Sequence, residues 1–146
     1  MSLYLSTDKL EFSFNEDYIS DSLLYEKHCH GEFEIIYIVD GGIDLVYEGR
    51  SYRAPRGRVV VFPPLSYHSI AADLNTDYKR IAVVFRPDTF PLEIERKLTV
   101  NSDASPVFHS PALKQIISDL FQTISTKNVN DYIPLIESLI IQTIYQ

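Results

Sequence analysis

Between Leu10 and Phe85 the apolar residues fall into short runs cut apart by turn residues, and none keeps a helical period for long. The runs are Leu10–Phe14, Leu23–Lys27, Phe33–Val39, Ile43–Tyr47, Val59–Phe62, Tyr67–Ala71 and Arg80–Phe85. Gly41-Gly42, Glu48-Gly49 and Pro63-Pro64 punctuate them, because glycine supplies positive φ and proline withholds a ladder hydrogen bond. Short strands at this spacing predict a sandwich or barrel. No glycine-rich phosphate loop and no strand–helix alternation appears, which argues against a nucleotide-binding α/β fold. A chain of 146 residues fits one domain with a real core.

After Pro87 the period changes. Asp88–Leu98 reads as a short helix and Asn101–Pro106 as a polar loop. Ser110 then supplies an N-cap and Pro111 a first helical position. Leu113, Ile116, Ile117, Leu120, Phe121 and Ile124 follow at the spacing of one apolar helix face. A second helix is expected from Asn130–Asp131 to Gln146, with Pro134 tolerated in its first turn. That segment is apolar over more than one face and ends with neither a C-cap glycine nor a basic last turn. The native protein is therefore expected to continue past Gln146. The expected division is a barrel over 1–87 and a helical part over 88–146, with its two main helices at 110–127 and 130–146.

The formal net charge of −7 opposes the phosphate attraction that dominates nucleic-acid affinity. Arg50, Arg53, Arg56 and Arg58 are a local exception, read as a solvated hairpin or as a basic rim for an anionic ligand. No stretch is long and apolar enough for a membrane span, and the first residues lack the pattern of a signal peptide. Cys29 is the single cysteine, which excludes an internal disulfide and favours a reducing cytoplasm.

The chemistry concentrates in His28-Cys29-His30-Gly31-Glu32-Phe33-Glu34. Alternate residues of a strand share a face, so His28, His30 and Glu34 are expected to point inward together. His68, after the Pro63-Pro64 turn, is placed to join them. Two imidazoles and a carboxylate from one strand make a partial shell for a divalent first-row metal such as Zn, Ni, Mn or Fe, with His68 as fourth ligand. Hydrogen bonding to a polar ligand needs the same convergence of polar groups in an apolar barrel. Ile36 and Ile38 share the parity of Glu34 and are candidate pocket walls. Tyr47, Tyr52 and Tyr67 are candidates to stack on a ligand or donate to it. Cys29, at odd parity, reads as a small buried residue, and His109 as a surface or capping histidine.

These motifs resemble the cupin superfamily. Its first motif runs H-x-H, three or four residues, E, six residues, G; here stand His28, His30, Glu34 and Gly41 at that spacing. Its second motif is matched by Gly57, Pro63 and His68, with Leu65 in place of a glycine, Ala72 in place of an asparagine and Arg58 in place of an acidic residue. The closer resemblance is to the N-terminal sensor domain of AraC-type transcription regulators. It rests on His28 to Val39, the Gly41-Gly42 turn, the Gly49-Arg50-Ser51-Tyr52 hairpin and the segment from Pro63 to His68. The resemblance covers roughly residues 10–146.

It implies a mainly β, jelly-roll barrel of the cupin type (a double-stranded β-helix) followed by two C-terminal α-helices. In that family the helices form a homodimer interface and precede a helix-turn-helix DNA-binding domain, which this chain lacks. The expected function is then effector sensing and dimerisation, with a small polar, sugar-like ligand at His28, His30, Glu34, His68, Tyr47 and Tyr67. A metal at His28, His30, Glu34 and His68 is the other use of the same residues. The competing expectation is a metal-dependent cupin enzyme, a dioxygenase or an isomerase. No further acid–base residue is spaced as catalysis would require, so the regulator is the expectation carried forward. DNA would be contacted only through the missing domain, and the expected location is the cytoplasm.

Overall fold

A computed structural model describes residues 2–6, 8–15, 24–28, 31–73 and 78–109, with the single positions 115, 134, 137, 138 and 141. For 2–6, 12–15 and 24–28 it describes the backbone alone. The strands are β1 (Ser2–Ser6), β2 (Leu10–Asn15), β3 (Leu24–His28), β4 (Phe33–Asp40), β5 (Gly42–Tyr47), β6 (Arg50–Pro55), β7 (Arg58–Phe62), β8 (His68–Ala72), β9 (Lys79–Phe85) and β10 (Val107–His109). One helix, α1 (Leu92–Ala104), sits between β9 and β10.

The strands make two antiparallel sheets, one ordered β1-β2-β9-β4-β7-β10 and the other β3-β8-β5-β6. Six of the nine connections between the described strands cross between sheets, which brings residues distant in sequence onto facing strands. Inward positions follow the two-residue period. Ile36 pairs with Val60 in the first sheet, and Leu45 with Ile70 in the second. Ile36, Ile38, Val60 and Phe62 meet Ile43, Leu45, Tyr47, Ala54, Ile70 and Tyr78 in one buried cluster between the sheets. Ile36 and Ile38, expected as pocket walls, are fully buried members of this packed core.

The seven expected strands are present, and three more join them. β6 carries the arginine-rich hairpin: Ala54 is fully buried and Tyr52 half-buried while Ser51, Arg53 and Pro55 face solvent, so alternation survives beneath the charges. β1 adds to the edge of β2, and β10 adds to β7 with Val107 opposite Val60. The 88–146 part therefore returns a strand to the barrel sheet before residue 110. The helix expected at Asp88–Leu98 lies four residues later at its start and runs to Ala104, through the expected polar loop. Pro91 is its N-cap, and Asp88 takes φ of 69°, which fixes the preceding residues as a turn. Beyond it, Leu98 and Ser102 continue the buried stripe that Ile94 begins, so the polar residues between them stay helical.

The segments 110–127 and 130–146 lie outside the described residues, apart from isolated helical positions at Gln115, Pro134, Glu137, Ser138 and Ile141. Among the described residues no helix is long and apolar enough to cross a membrane.

Candidate functional site

Glu34 is the second residue of β4 in one sheet and His68 opens β8 in the other. Across the interior, His68 Nε2 lies 3.2 Å from Glu34 Oε2. The two side chains are 1% and 12% exposed, so this is a polar bridge at the edge of an otherwise apolar core. A buried polar pair of this kind is costly unless each group is bonded.

The His68 ring is held on three sides. Its Nδ1 lies 3.1 Å from the Ser66 carbonyl, and a carbonyl only accepts, so Nδ1 carries the hydrogen. That assignment leaves Nε2 facing Glu34. Phe62 stacks on the imidazole with centroids 3.9 Å apart and planes 6° from parallel. Tyr47, directly opposite His68 in the ladder, packs against the other side of the cluster with its ring 5.9 Å from Phe62. Burial pushes the Tyr47 phenol above its ordinary pKa, against a hydrogen bond with Ser102 of α1 that pulls it down.

The turn before His68 is rigid for identifiable reasons. Ser66 Oγ donates to the Pro63 carbonyl at 2.7 Å. Glu48, in the left-handed region at φ 49°, donates its N–H to the Tyr67 carbonyl and accepts the Tyr67 N–H at its side chain, both at 2.9 Å. The β5–β6 turn thus clamps the β7–β8 turn. Leu65, where the cupin motif has glycine, holds φ of 64°: the backbone of the motif is retained although the residue is not.

The structure brings Glu34, His68 and Tyr47 together. Tyr67 is 53% exposed on the outer side of the turn, and Tyr52 is half-buried against the core cluster. The backbone of His28 is paired in register with that of His68. The side chain of His28, and Cys29 and His30 altogether, lie outside the described residues. Among the described residues no group of three or more His, Cys, Asp or Glu side chains is placed to hold a metal ion.

Reading the sequence missed Phe62, Ser66 and Glu48, which fix the ring of His68. Phe62 reads as one more apolar residue of a strand, and nothing in the sequence sets it against His68. Of the four arginines, Arg53 forks onto Asp73 with two contacts of 2.5 Å, and Arg58 pairs with His109. Arg50 and Arg56 face solvent.

A family model described as the AraC-like ligand binding domain matches residues 16–144. The chain belongs to that family. No curated relative matches it. Among solved structures, the AraC-like domain is similar to a conserved protein of unknown function from Streptococcus pyogenes, at 18% identity and a TM-score of 0.51, over 61% of this chain and 75% of that one. It is similar also to a cupin superfamily protein from Desulfitobacterium hafniense, at 15% identity and a TM-score of 0.50, over 59% of this chain and 76% of that one. These likenesses place the two sheets of the AraC-like domain in the cupin fold. The Glu34–His68 bridge lies inside the stretch that the family model covers.

Proposed function

We propose that this AraC-like domain is the effector-sensing part of an AraC-type transcription regulator, with a small polar, sugar-like molecule as ligand. The observation that carries this reading is the Glu34–His68 bridge, a carboxylate and an imidazole facing each other across a packed apolar interior. A polyhydroxylated ligand inserted at this edge trades its hydroxyls for both partners, and the Phe62 and Tyr47 rings offer apolar faces beside them. Sensing requires differential affinity for two arrangements of the domain, and its consequence is a shift between them. In this reading the chain is not an enzyme, acts in the cytoplasm, and forms a homodimer through the segments 110–127 and 130–146. DNA is then contacted only by a domain outside this chain.

The direct test is a thermal-shift and calorimetric screen against neutral sugars, sugar acids and other polar metabolites. One chemical class is expected to raise the unfolding midpoint, and His68→Ala is expected to lower its affinity about tenfold or more, the loss of a buried charged or polar partner. Tyr67→Ala, at an exposed position, is expected to change it less. A screen with no binder, or a binder indifferent to His68→Ala and Glu34→Ala, overturns the assignment.

One observation favours a second use of the same groups. Anchoring Nδ1 to the Ser66 carbonyl leaves Nε2 as the ligating nitrogen, the orientation that metal-binding histidines adopt. His68 and Glu34, with His28 and His30 from β3 and the residues after it, would hold a divalent ion that supplies Lewis acidity to a chelating ligand. A metal-dependent dioxygenase or isomerase belongs to this reading. Element analysis of untagged protein, with His28→Ala and His68→Ala alongside, decides it: metal content unchanged in both variants removes the four-ligand site.

A further inference from the structure

The arginines between residues 50 and 58 end in different company. Arg53 is held by carboxylates, in a fork on Asp73 with Asp44 3.4 Å away. Arg58 meets a base instead: its guanidinium contacts Nδ1 of His109. The contact follows from the register, because His109 stands directly opposite Arg58 where β10 pairs with β7. Two residues along, Val60 belongs to the core cluster and Val107 packs against it, so Arg58 and His109 share that inward face at the end of the barrel. Among the described residues no carboxylate is paired with Arg58, although the chain carries 20 acidic against 13 basic residues.

The pair offers donors and no spare acceptor. A guanidinium can only donate, so Nδ1 of His109 accepts in this contact and the ring hydrogen sits on Nε2. One imidazole lone pair uses one of an arginine's five N–H donors, and the others stay available. Arg58 is half-buried and His109 exposed, so these donors are open to solvent on one side and shielded on the other. Arg56, exposed in the turn just before, adds a second positive charge, and open space lies beside Gly57 between the two arginines. A planar fork beside an imidazole N–H suits the oxygens of one tetrahedral anion. Two bases set opposite each other are by themselves a poor fastening for β10, a strand of three residues.

We propose that Arg58 and His109, with Arg56 at the rim, form a binding site for a tetrahedral oxyanion of the phosphate or sulfate type, which fastens β10 to β7 by accepting from both strands at once. The anion replaces the imidazole as acceptor for the guanidinium and takes a hydrogen from the ring, so a contact between two bases becomes two charge-assisted bonds to one acceptor. The site is distinct from the Glu34–His68 bridge. Phe62, which stacks on His68, is four residues along β7 from Arg58, a distance of about 13 Å at the rise of a strand. The proposal does not rest on the sensing reading.

Titration of the full chain with sulfate, followed at the His109 imidazole and Arg58 side-chain resonances, tests the site. Saturable shifts at both are expected, with amide exchange at 107–109 slowed roughly fivefold as β10 is fastened. Chloride at the same ionic strength is expected to give neither. Arg58→Gln is expected to weaken sulfate binding roughly tenfold, the loss of a charged hydrogen-bonding partner. Arg50→Gln, the same change of charge at an exposed position at the far end of β6, is expected to leave it in place. Should Arg58→Gln not fold, His109→Ala, at an exposed position, is expected to weaken binding read at the Arg58 resonance. Inorganic phosphate is expected to compete with sulfate. Phosphate binding tighter than ethyl phosphate supports the site with a free ion as occupant, and the reverse order supports it with a phosphorylated molecule. Chloride shifts equal to those with sulfate, equal weakening by Arg50→Gln and Arg58→Gln, or shifts centred on His68 overturn the proposal. The His68 resonances are expected to stay in place throughout, so a failed ligand screen at Glu34 and His68 leaves this site standing, and a failed sulfate titration leaves the sensing reading in place.

Discussion

The two sheets solve the same folding problem differently. In the β3-β8-β5-β6 sheet the strands alternate: Ile43, Leu45 and Tyr47 of β5 are buried, whereas Asp44 is exposed and Val46 half-buried. In the larger sheet, β4 and β7 are buried on both faces, with Ile35 at 1% and Ile36 at 0% exposure on opposite sides of one strand. The outward face of β4 is not a surface: Phe33 stacks on Phe85 at 4.9 Å, and Phe85 meets Phe90 edge-on at the same distance. The outward face of the smaller sheet is a shallow groove of about 580 Å³ bordered by Asp44, Ser51, Arg53 and Ser69. A strand buried on both faces acts as scaffold, and one buried on a single face can carry polar chemistry on its rim. The Glu34–His68 bridge joins one sheet of each kind.

The sharpest way to break this comparison is to truncate outward-facing residues on both sheets. Ile35→Ala leaves a cavity between Val61, Val83 and the layer beyond, and is expected to cost about 3 kcal/mol with a midpoint drop on the order of 10 °C. Val46→Ala, pointing outward from the smaller sheet, is expected to cost under about 1 kcal/mol. Chemical denaturation of both variants checks the pair. Equal losses would mean that the two outer faces are packed alike.

The sequence made this asymmetry legible only in part. Phe33–Val39 is a near-continuous apolar run, which signals a strand buried on both sides, and Ile43–Tyr47 carries Asp44 at its outward position. Glu34 and His68 were legible as candidates through motif spacing. Their contact was not, because 34 positions and a change of sheet separate them, and register within a strand says nothing of what faces it across a barrel. β6 was hidden because an arginine opens it, Ser51 and Arg53 occupy outward positions and proline ends it. β10 was hidden because three residues carry too little period to register. The helix start was displaced by Pro91, and its end by Ser102, a polar residue buried through a hydrogen bond rather than by hydrophobicity.

A smaller effect sharpens the comparison at the join between the larger sheet and α1. The Glu95 carboxylate is buried and accepts the N–H groups of Asp88, at 2.9 and 3.1 Å, and of Phe90, at 3.3 Å. Burial raises its pKa despite those donors. A raised carboxylate pKa in the fold stabilises the protein below the ordinary value, and that contribution is lost as pH rises through the folded value. Glu95→Ala is expected to cost about 2 kcal/mol at neutral pH by orphaning buried donors. Glu95→Gln keeps an acceptor and sheds the charge, so it is expected to match or exceed the wild type at pH 7 and above, with its advantage shrinking in acid. If Gln is as damaging as Ala at every pH, the charge itself is needed and the acceptor account fails.

The smallest expected effect is a gain, and it lies in the turn that delivers His68 to the site. Leu65 sits at φ 64° with 70% of its surface exposed, so it pays the steric cost of a left-handed residue and recovers little by burial. The conformation is imposed from outside: Ser66 bonds back to Pro63, and Glu48 holds Tyr67 by its N–H and its carbonyl. Leu65→Gly removes the clash and adds entropy to the unfolded chain, two terms of opposite sign, with a net stabilisation of about 0.5 kcal/mol expected. The imidazole resonances of His68 should stay in place, because the clamp on the turn does not involve the Leu65 side chain. A destabilised Gly variant, or one whose His68 resonances move, would show that the leucine itself holds the turn, and that the ring is positioned by packing from the rim rather than by the Ser66 and Glu48 bonds.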